Sequence, residues 1–112
     1  MDCVFCQIAA GTVPASKVFE DDQVVAFSDR RPVAPTHILV IPRRHVPSLA
    51  EAEEDDWPDI VRALQVARKL GREGGLDDGY RVVQNVGPDG GQTVGHLHWH
   101  LLGGRSMTWP PG

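Results

Sequence analysis

The sequence predicts an α+β domain with an antiparallel sheet of about five strands, one long helix and a short N-terminal helix. Three patterns support this prediction. Short β-branched runs lie between turn-forming glycines and prolines, and apolar residues recur at helical spacing after Trp57. The segment His96–His100 alternates histidine with apolar residues, as a strand with two different faces does. At 112 residues, the chain has the length of one domain, and we assign residues 1–112 to it.

The first half of the chain predicts short elements. Residues 2–10 read as a short helix or turn, ended by Gly11 and Pro14. A brief strand at 18–19 precedes a second strand at 24–27. The apolar run at 37–41 predicts a third strand, buried on both faces and closed by a proline.

A long helix and two further strands follow. The acidic run at 51–56 suits the solvated start of a helix better than a metal site. Helical spacing continues through Ala67, and Gly74 with Gly75 ends the helix. A strand at 80–86 and the histidine strand then flank a glycine-rich loop at 87–91, which predicts an antiparallel pair.

Composition narrows the class of protein. Hydrophobic residues make up 41% of the chain and charged residues 23%, as in ordinary globular proteins. The net charge of −4 argues against a nucleic-acid polymer as partner, although a small nucleotide pocket remains compatible with it. We see neither a membrane-spanning run nor a signal peptide, so we expect a cytoplasmic protein with reduced cysteines.

The histidines His96, His98 and His100 are the first candidates for chemistry. On a strand they share one face, while Leu97, Trp99 and Leu101 share the other. Imidazole is nucleophilic when neutral and a proton donor when charged, which suits phosphoryl transfer. A half-buried edge strand with polar outer residues, or an adventitious metal patch, explains these five residues equally well.

The glycine loop adds groups that bind anions. Gly90 and Gly91 permit close approach of a ligand to the backbone, and Gln92 and Thr93 follow them directly. Asn85 adds an amide from the preceding strand. The alternative is a hairpin loop whose glycines serve turn geometry alone.

Cys3 and Cys6 form a C-x-x-C pair, which in a reducing compartment indicates metal or redox chemistry. The pair supplies two ligands, whereas structural zinc generally needs four. From spacing alone, two reduced core thiols remain the simpler interpretation. A thioredoxin-like function lacks the βαβ context that it requires.

Together these segments resemble a known family. The motif His96-Leu97-His98-Trp99-His100-Leu101-Leu102 resembles that of the histidine triad (HIT) superfamily. The likeness extends through APTH, GGQ and the closing WPPG, and this set is similar to the Hint branch. The resemblance implies the HIT fold, with a sheet continued across a homodimer. It also implies binding of purine nucleotides and hydrolysis of adenosine 5′-monophosphoramidates to AMP and an amine, with no cofactor required for catalysis.

The resemblance also implies catalytic roles. His98 would be the nucleophile on the α-phosphorus, and His100 would contact the phosphate or the leaving group. His37, in the APTH segment, would orient the triad together with His96. Without the family context, His37 reads more simply as a core or surface histidine at the start of a strand.

The implied nucleotide site draws on several segments. Asp29 would bind the ribose hydroxyls, although a loop cap is the alternative. Arg30 departs from the family, whose best-known members carry an apolar residue there, so the base preference is open. Trp109 in the tail would approach the active site of the partner subunit. The remaining nucleotide-binding residues are an apolar wall and a phosphate loop: Phe5, Ile8 and Phe27, then Asn85, Gly91, Gln92 and Thr93.

A zinc site is implied as well. Many bacterial members of the superfamily resemble this arrangement of Cys3, Cys6, His45 and His96, and we favour structural zinc on that ground. The roles of His96 as zinc ligand and as relay residue then compete. Three alternative functions stay open: hydrolysis of dinucleoside polyphosphates, nucleotidyl transfer, and non-catalytic nucleotide binding.

Overall fold

The short N-terminal helix is capped at both ends. The computed structural model describes residues 3–112, so Asp2, the first residue of the predicted helix, lies outside the described residues. Helix α1 covers Val4–Ala10, and the Cys3 sulfur accepts a hydrogen bond from the Cys6 amide at its first turn. Gly11 ends the helix in the left-handed region at φ 82°, which glycine adopts without strain.

Five strands form one antiparallel sheet, which confirms the predicted fold class. They are β1 Lys17–Glu20, β2 Val24–Ser28, β3 Thr36–Pro42, β4 Tyr80–Val83 and β5 Trp99–Gly103. Their order across the sheet is β1-β2-β3-β5-β4. The last two strands pair with each other, as the intervening loop predicts.

The long helix begins after two short 3₁₀ turns, Leu49–Glu51 and Glu54–Asp56. Helix α2 covers Trp57–Glu73, with a proline in its first turn and Gly74 after its end. Glu53 and Asp56 form a capping box in front of it, each side chain bonding the other residue's backbone. The acidic run therefore starts the helix, as predicted.

Two predicted strand boundaries are wrong. The strand predicted at 80–86 stops at Val83, and the histidine strand begins only at Trp99. Both limits follow from pairing, because the β4–β5 ladder ends at Val83–His100 and the β3–β5 ladder ends at Val40–Trp99. His96 and His98 therefore lie in an irregular segment, which is joined to the chain after β3 by single hydrogen bonds such as that from the Leu97 N–H to the Val46 carbonyl, 2.7 Å.

The sheet carries a core on each face. Alternate residues of β2, β3 and β5 point toward α2, and the next ones point toward α1. Val40, Trp99 and Leu101 belong to the α2 face, whereas Leu39 and Phe27 belong to the α1 face. Because both faces are covered, the side chains at the α1 face are withdrawn from water.

Arg43 ties α1 to the sheet. Its backbone N–H donates to the Gln23 carbonyl at 2.9 Å. Its guanidinium donates to the Asp21 carbonyl at 2.6 Å and to the Ala9 carbonyl, in the last turn of α1, at 2.7 Å. One side chain therefore satisfies carbonyls of the helix end and of the β1–β2 turn. Within residues 3–112, neither α1 nor α2 combines the length and the apolar character that crossing a bilayer requires.

Candidate active site and metal cluster

The alternation of the histidine segment persists although only its end is a strand. Leu97, Trp99 and Leu101 are buried in the α2-face core. The rings of His96 and His98 contact Phe5 of α1, so the histidines lie on the opposite face. The apolar set thus anchors the segment, and the imidazoles line the α1 face together.

His37 and His100 meet through the register of β3 and β5. Leu39 pairs with His100 and Leu102 with His37, so the two histidines are diagonal neighbours on one face. Their Nε2 and Nδ1 atoms are 2.9 Å apart. The Val33 N–H donates to His37 Nδ1 at 3.1 Å, so the proton of neutral His37 sits on Nε2 and is donated to His100 Nδ1. Neutral His100 therefore carries its own proton on Nε2.

His98 is held in the opposite tautomer. Its Nδ1 lies 2.7 Å from the backbone carbonyl of His96, and a carbonyl only accepts, so Nδ1 carries the proton. The lone pair of neutral His98 is consequently on Nε2. The ring packs edge-on against Phe5 with centroids 5.2 Å apart and lies 5.1 Å from the His100 ring.

His96 contacts the two cysteines through its ring and His98 through its backbone carbonyl. The ring is fully buried, and its Nε2–H donates to the Pro42 carbonyl at 2.8 Å. Nδ1 therefore bears the lone pair, which faces Cys3 Sγ at 3.3 Å and Cys6 Sγ at 3.5 Å. The imidazole belongs to the cysteine cluster, while the backbone carbonyl orients His98. The two roles predicted for this residue fall on separate atoms and do not exclude each other.

The four predicted zinc ligands come together. The ligand atoms of Cys3, Cys6, His45 and His96 all lie within 4.8 Å of one another, and His45 Nδ1 is 3.3 Å from Cys6 Sγ. Tetrahedral zinc, with bonds of about 2.0–2.3 Å, places its ligand atoms about 3.3–3.8 Å apart. The backbone hydrogen bond from His96 Nε2 is the support that a metal-binding histidine usually has. Two thiols and two imidazoles at these spacings fit zinc.

Burial governs the protonation of the site. Burial, together with the neighbouring His98 and His37, lowers the pKa of His100 to about 4. Burial also lowers the pKa of His37, although the Asp29 carboxylate opposes the shift. In the cluster, burial and the Cys3 side chain raise the pKa of the Cys6 thiol to about 11, and a bound cation would reverse that shift. His37 and His100 are therefore neutral at pH 7.

A cavity of about 590 Å³ opens on the α1 face. Its lining includes the predicted residues Phe5, Ile8, Phe27, Asp29 and Arg30. The three apolar members are also buried in the α1-face core, so wall and core are the same residues. The cavity meets the histidines at its edge, where Phe5 packs against the His98 ring.

Asp29 and Arg30 are the charged residues of the cavity lining. One Asp29 oxygen accepts the Arg31 N–H at 2.8 Å, which is the loop cap that its sequence position suggests. The other oxygen lies 3.4 Å from His37 Nε2. Arg30 is exposed, and its side chain makes no hydrogen bond or ion pair within residues 3–112.

The glycine loop is largely bonded to itself. The Asn85 amide donates to the Gly90 carbonyl at 2.6 Å, and the backbone N–H groups of Gly91 and Gln92 donate to carbonyls within the loop. The Gln92 side chain bonds Gly87, Pro47 and Val94. Thr93 is exposed, and its hydroxyl has no partner among the described residues. Loop geometry thus accounts for most of these groups, and Thr93 keeps a free donor.

Some groups that shape the site are not predicted by the sequence. The Val33 N–H and the Pro42 carbonyl select histidine tautomers, but they act through backbone atoms that every residue type offers. Leu39 and Val94 line the cavity without having been predicted. Leu39 alternates with His37 on β3, a period-2 pattern that could have placed it on the same face.

Comparison with known proteins decides the family. The HIT domain model matches residues 10–107. The chain belongs to the HIT family. The crystal structure of a HIT family hydrolase from Legionella pneumophila Philadelphia 1 superimposes with a TM-score of 0.96 at 51% identity, covering 99% of this chain and all of that one.

Two further HIT relatives have informative names. A 14 kDa zinc-binding protein of Zea mays is 49% identical over 111 residues, which are 97% of this chain and 87% of the maize protein. The crystal structure of a histidine triad nucleotide-binding protein from Candida albicans gives a TM-score of 0.83 at 33% identity. That match covers 97% of this chain and 83% of the other.

The half-buried His100 of this HIT domain predicts loss of stability in acid. The unfolded chain protonates this imidazole near pH 6.5, whereas the folded chain keeps it neutral to about pH 4. The unfolded state thus binds more protons in this window, and the free energy of unfolding falls as the pH drops from 6.5 to 4. By pH 4.5 the loss from this group reaches about 2.5 kcal/mol.

Urea unfolding at pH 7 and pH 4.5 measures this loss. Metal is stripped from all samples first, so acid release of a metal cannot contribute. The His100→Asn protein should lose less stability between the two pH values than the wild type. Equal losses in the two proteins would contradict the assignment.

Proposed function

We propose that the protein hydrolyses purine nucleoside 5′-phosphoramidates through a covalent histidine–nucleotide intermediate. The observation that carries this proposal is the tautomer of His98. Its Nδ1–H is bonded to the His96 carbonyl, so the Nε2 lone pair is free for attack. Membership of the HIT family and the hydrolase name of the Legionella relative support the same reaction type.

The reaction proceeds in two displacements. His98 Nε2 attacks the α-phosphorus, the N–P bond to imidazole forms, and the bond from phosphorus to the amine nitrogen breaks. The amine leaves with the electron pair and takes up a proton. Water then attacks the phosphorus, the imidazole–phosphorus bond breaks, and AMP departs. The imidazole is regenerated, so the cycle requires no cofactor.

The neighbours of His98 supply neutral donors. His100 Nε2–H is free to bond a phosphate oxygen or the leaving group, because His37 occupies its Nδ1. The Thr93 hydroxyl offers a second donor beside the histidine segment. Neutral donors in a buried site stabilise developing negative charge because their dipoles are already oriented.

The cavity suits a nucleoside. Its apolar wall, including Phe5, Ile8 and Phe27, offers area and edges for a purine ring. We assign the ribose hydroxyls to the Asp29 carboxylate, which lines the cavity and can accept from them, and the neighbouring Arg30 adds donors. The Candida relative, named as nucleotide-binding, supports this assignment.

Turnover of a fluorogenic adenosine phosphoramidate tests the reaction. We expect the wild type to release AMP and His98→Ala to lose at least about a thousandfold in kcat, since the nucleophile is gone. His98→Ala should keep its thermal midpoint and bind AMP. A folded wild type that binds AMP without turnover would favour a binding protein. Faster cleavage of a dinucleoside polyphosphate, or transfer of AMP to an acceptor, would favour the two other reactions.

We propose that zinc is held by Cys3, Cys6, His45 and His96 as a structural ion. The thiolates and imidazoles fit its bond lengths, and the maize relative is named as zinc-binding. When bound, zinc would tie the start of α1 to the histidine segment. No step of the hydrolysis uses it.

Metal analysis tests the zinc assignment. We expect about one zinc ion per wild-type chain by plasma mass spectrometry, because the cluster supplies four ligands. His45→Ala removes one ligand and should fall well below one ion per chain. His98→Ala, the same change outside the cluster, should keep its zinc. Equal metal contents in the two variants would sink the assignment.

We propose a homodimer joined along β4. This strand is at the edge of the sheet, and Tyr80 and Val82 expose about two fifths of their surface, 41% and 39%. Val61 and Leu64 of α2 are exposed apolar residues as well. The tail runs along the same edge, because the Arg81 guanidinium donates to the Thr108 carbonyl at 2.7 Å.

Light scattering after gel filtration tests this assembly. We expect twice the chain mass of 12.2 kDa for the wild type. Val82→Lys should yield the monomer, because it places a charge on the proposed shared edge. Val18→Lys, the same change on the exposed β1 edge, should leave the dimer intact. A monomeric wild type would contradict the proposal.

A further inference from the structure

The metal cluster and the proposed nucleophile share one residue. His96 turns its Nδ1 toward both cysteine sulfurs, while its backbone carbonyl accepts the Nδ1–H of His98 at 2.7 Å. The His96 ring is fully buried and is fixed at its other nitrogen by the Pro42 carbonyl. The ring that meets the cysteines and the carbonyl that sets the tautomer of His98 therefore belong to one residue.

Phe5 makes a second connection. It lies between Cys3 and Cys6 in the chain, so the thiols that form the cluster also place its ring. The ring packs edge-on against His98 and against Phe27, with centroid distances of 5.2 Å and 5.5 Å, and it lines the cavity. Seven residues make a helix too short to be stable alone, so contacts at its ends determine where it sits.

We propose that a divalent cation in the cluster and a nucleotide in the cavity bind cooperatively, with His96 and Phe5 as the positioning residues between them. This inference rests on the proposed nucleotide site. Each ligand orders the same segments, the start of α1 and residues 96–98, so the second ligand binds to a chain that is already ordered. The cluster thereby serves the reaction without touching the substrate.

Linkage makes the proposal quantitative. If zinc strengthens AMP binding by a given factor, AMP must strengthen zinc binding by the same factor. Couplings of this kind usually amount to about 5- to 150-fold, and we expect about tenfold here. If the cluster only stabilised the fold as a whole, the folded protein would bind AMP with the same affinity with and without zinc.

Calorimetry with AMP on zinc-loaded and metal-free protein measures the first factor. A chelator competition with and without AMP measures the second. His45 allows a matched pair of variants, because it is exposed and does not line the cavity. His45→Ala should bind AMP like the metal-free wild type, whereas His45→Cys restores a thiolate ligand and should recover the stronger binding.

A spectroscopic readout follows the His98 tautomer directly. In ¹⁵N-histidine spectra at pH 8, the zinc-loaded protein should show His98 protonated on Nδ1, and metal-free protein should show a mixture. His37 is the internal control, because the Val33 N–H holds its tautomer away from the cluster. In Phe5→Leu, which keeps all four ligands, the two linkage factors should shrink together. If metal-free protein unfolds, the His98 signal of zinc-loaded Phe5→Leu still tests Phe5 as a positioning residue: it should move toward the mixture while the His37 signal stays, and an unchanged His98 signal would contradict that role.

The outcomes separate this inference from the proposed function. Equal AMP affinities with and without zinc, together with an unchanged His98 signal, would overturn the coupling while leaving hydrolysis intact. Linkage factors well above one, in a loaded protein that releases no AMP from phosphoramidates, would support the coupling and overturn the proposed reaction. A His98 shift matched by an equal His37 shift would indicate general loosening and would also overturn the coupling.

Discussion

The antiparallel register of β3 and β5 is the constraint on which both the core and the candidate site depend. Pairing Ile38 with Leu101 and Val40 with Trp99 directs apolar side chains beneath α2, and the same register brings His37 diagonally against His100. A slip by one residue would exchange the two faces, burying imidazoles under α2 and exposing leucine on the α1 side. The packing of the apolar face under α2 therefore also fixes where the histidines lie on the opposite face.

Hydrogen bonds to the backbone determine which ring nitrogen carries the proton in each of three histidines. The Val33 N–H, the His96 carbonyl and the Pro42 carbonyl each engage one ring nitrogen, and each leaves the other nitrogen with a defined role. Three chemically identical side chains thereby differ in the ring nitrogen that is free, which suits the roles of donor, nucleophile and metal ligand that we propose for them. Burial reinforces the division at His37 and His96, because it lowers the pKa of both side chains and thus favours their neutral forms.

The sequence predicts the elements whose patterns are local. Helical spacing identifies α2, apolar runs identify β2 and β3, and alternation places His98 opposite Leu97. The ends of β4 and β5 were misplaced, because a strand ends where its partner does. The proposed zinc ligands come from three separate segments, so their spacing alone leaves them undecided and the family likeness is needed to group them. The tautomers depend on backbone atoms, which no residue pattern reveals.

The attachment of α1 by Arg43 has a mechanical consequence. The helix is held at its N-terminal end by the cysteines and at its C-terminal end by the guanidinium on the Ala9 carbonyl. Releasing the first attachment leaves the second in place, so we expect the helix to pivot about Ala9 and not to detach. The side chains nearest the free end then travel furthest, and Phe5 is among them. A change at the thiols would then move Phe5, which lines the cavity, and so alter the width of the cavity.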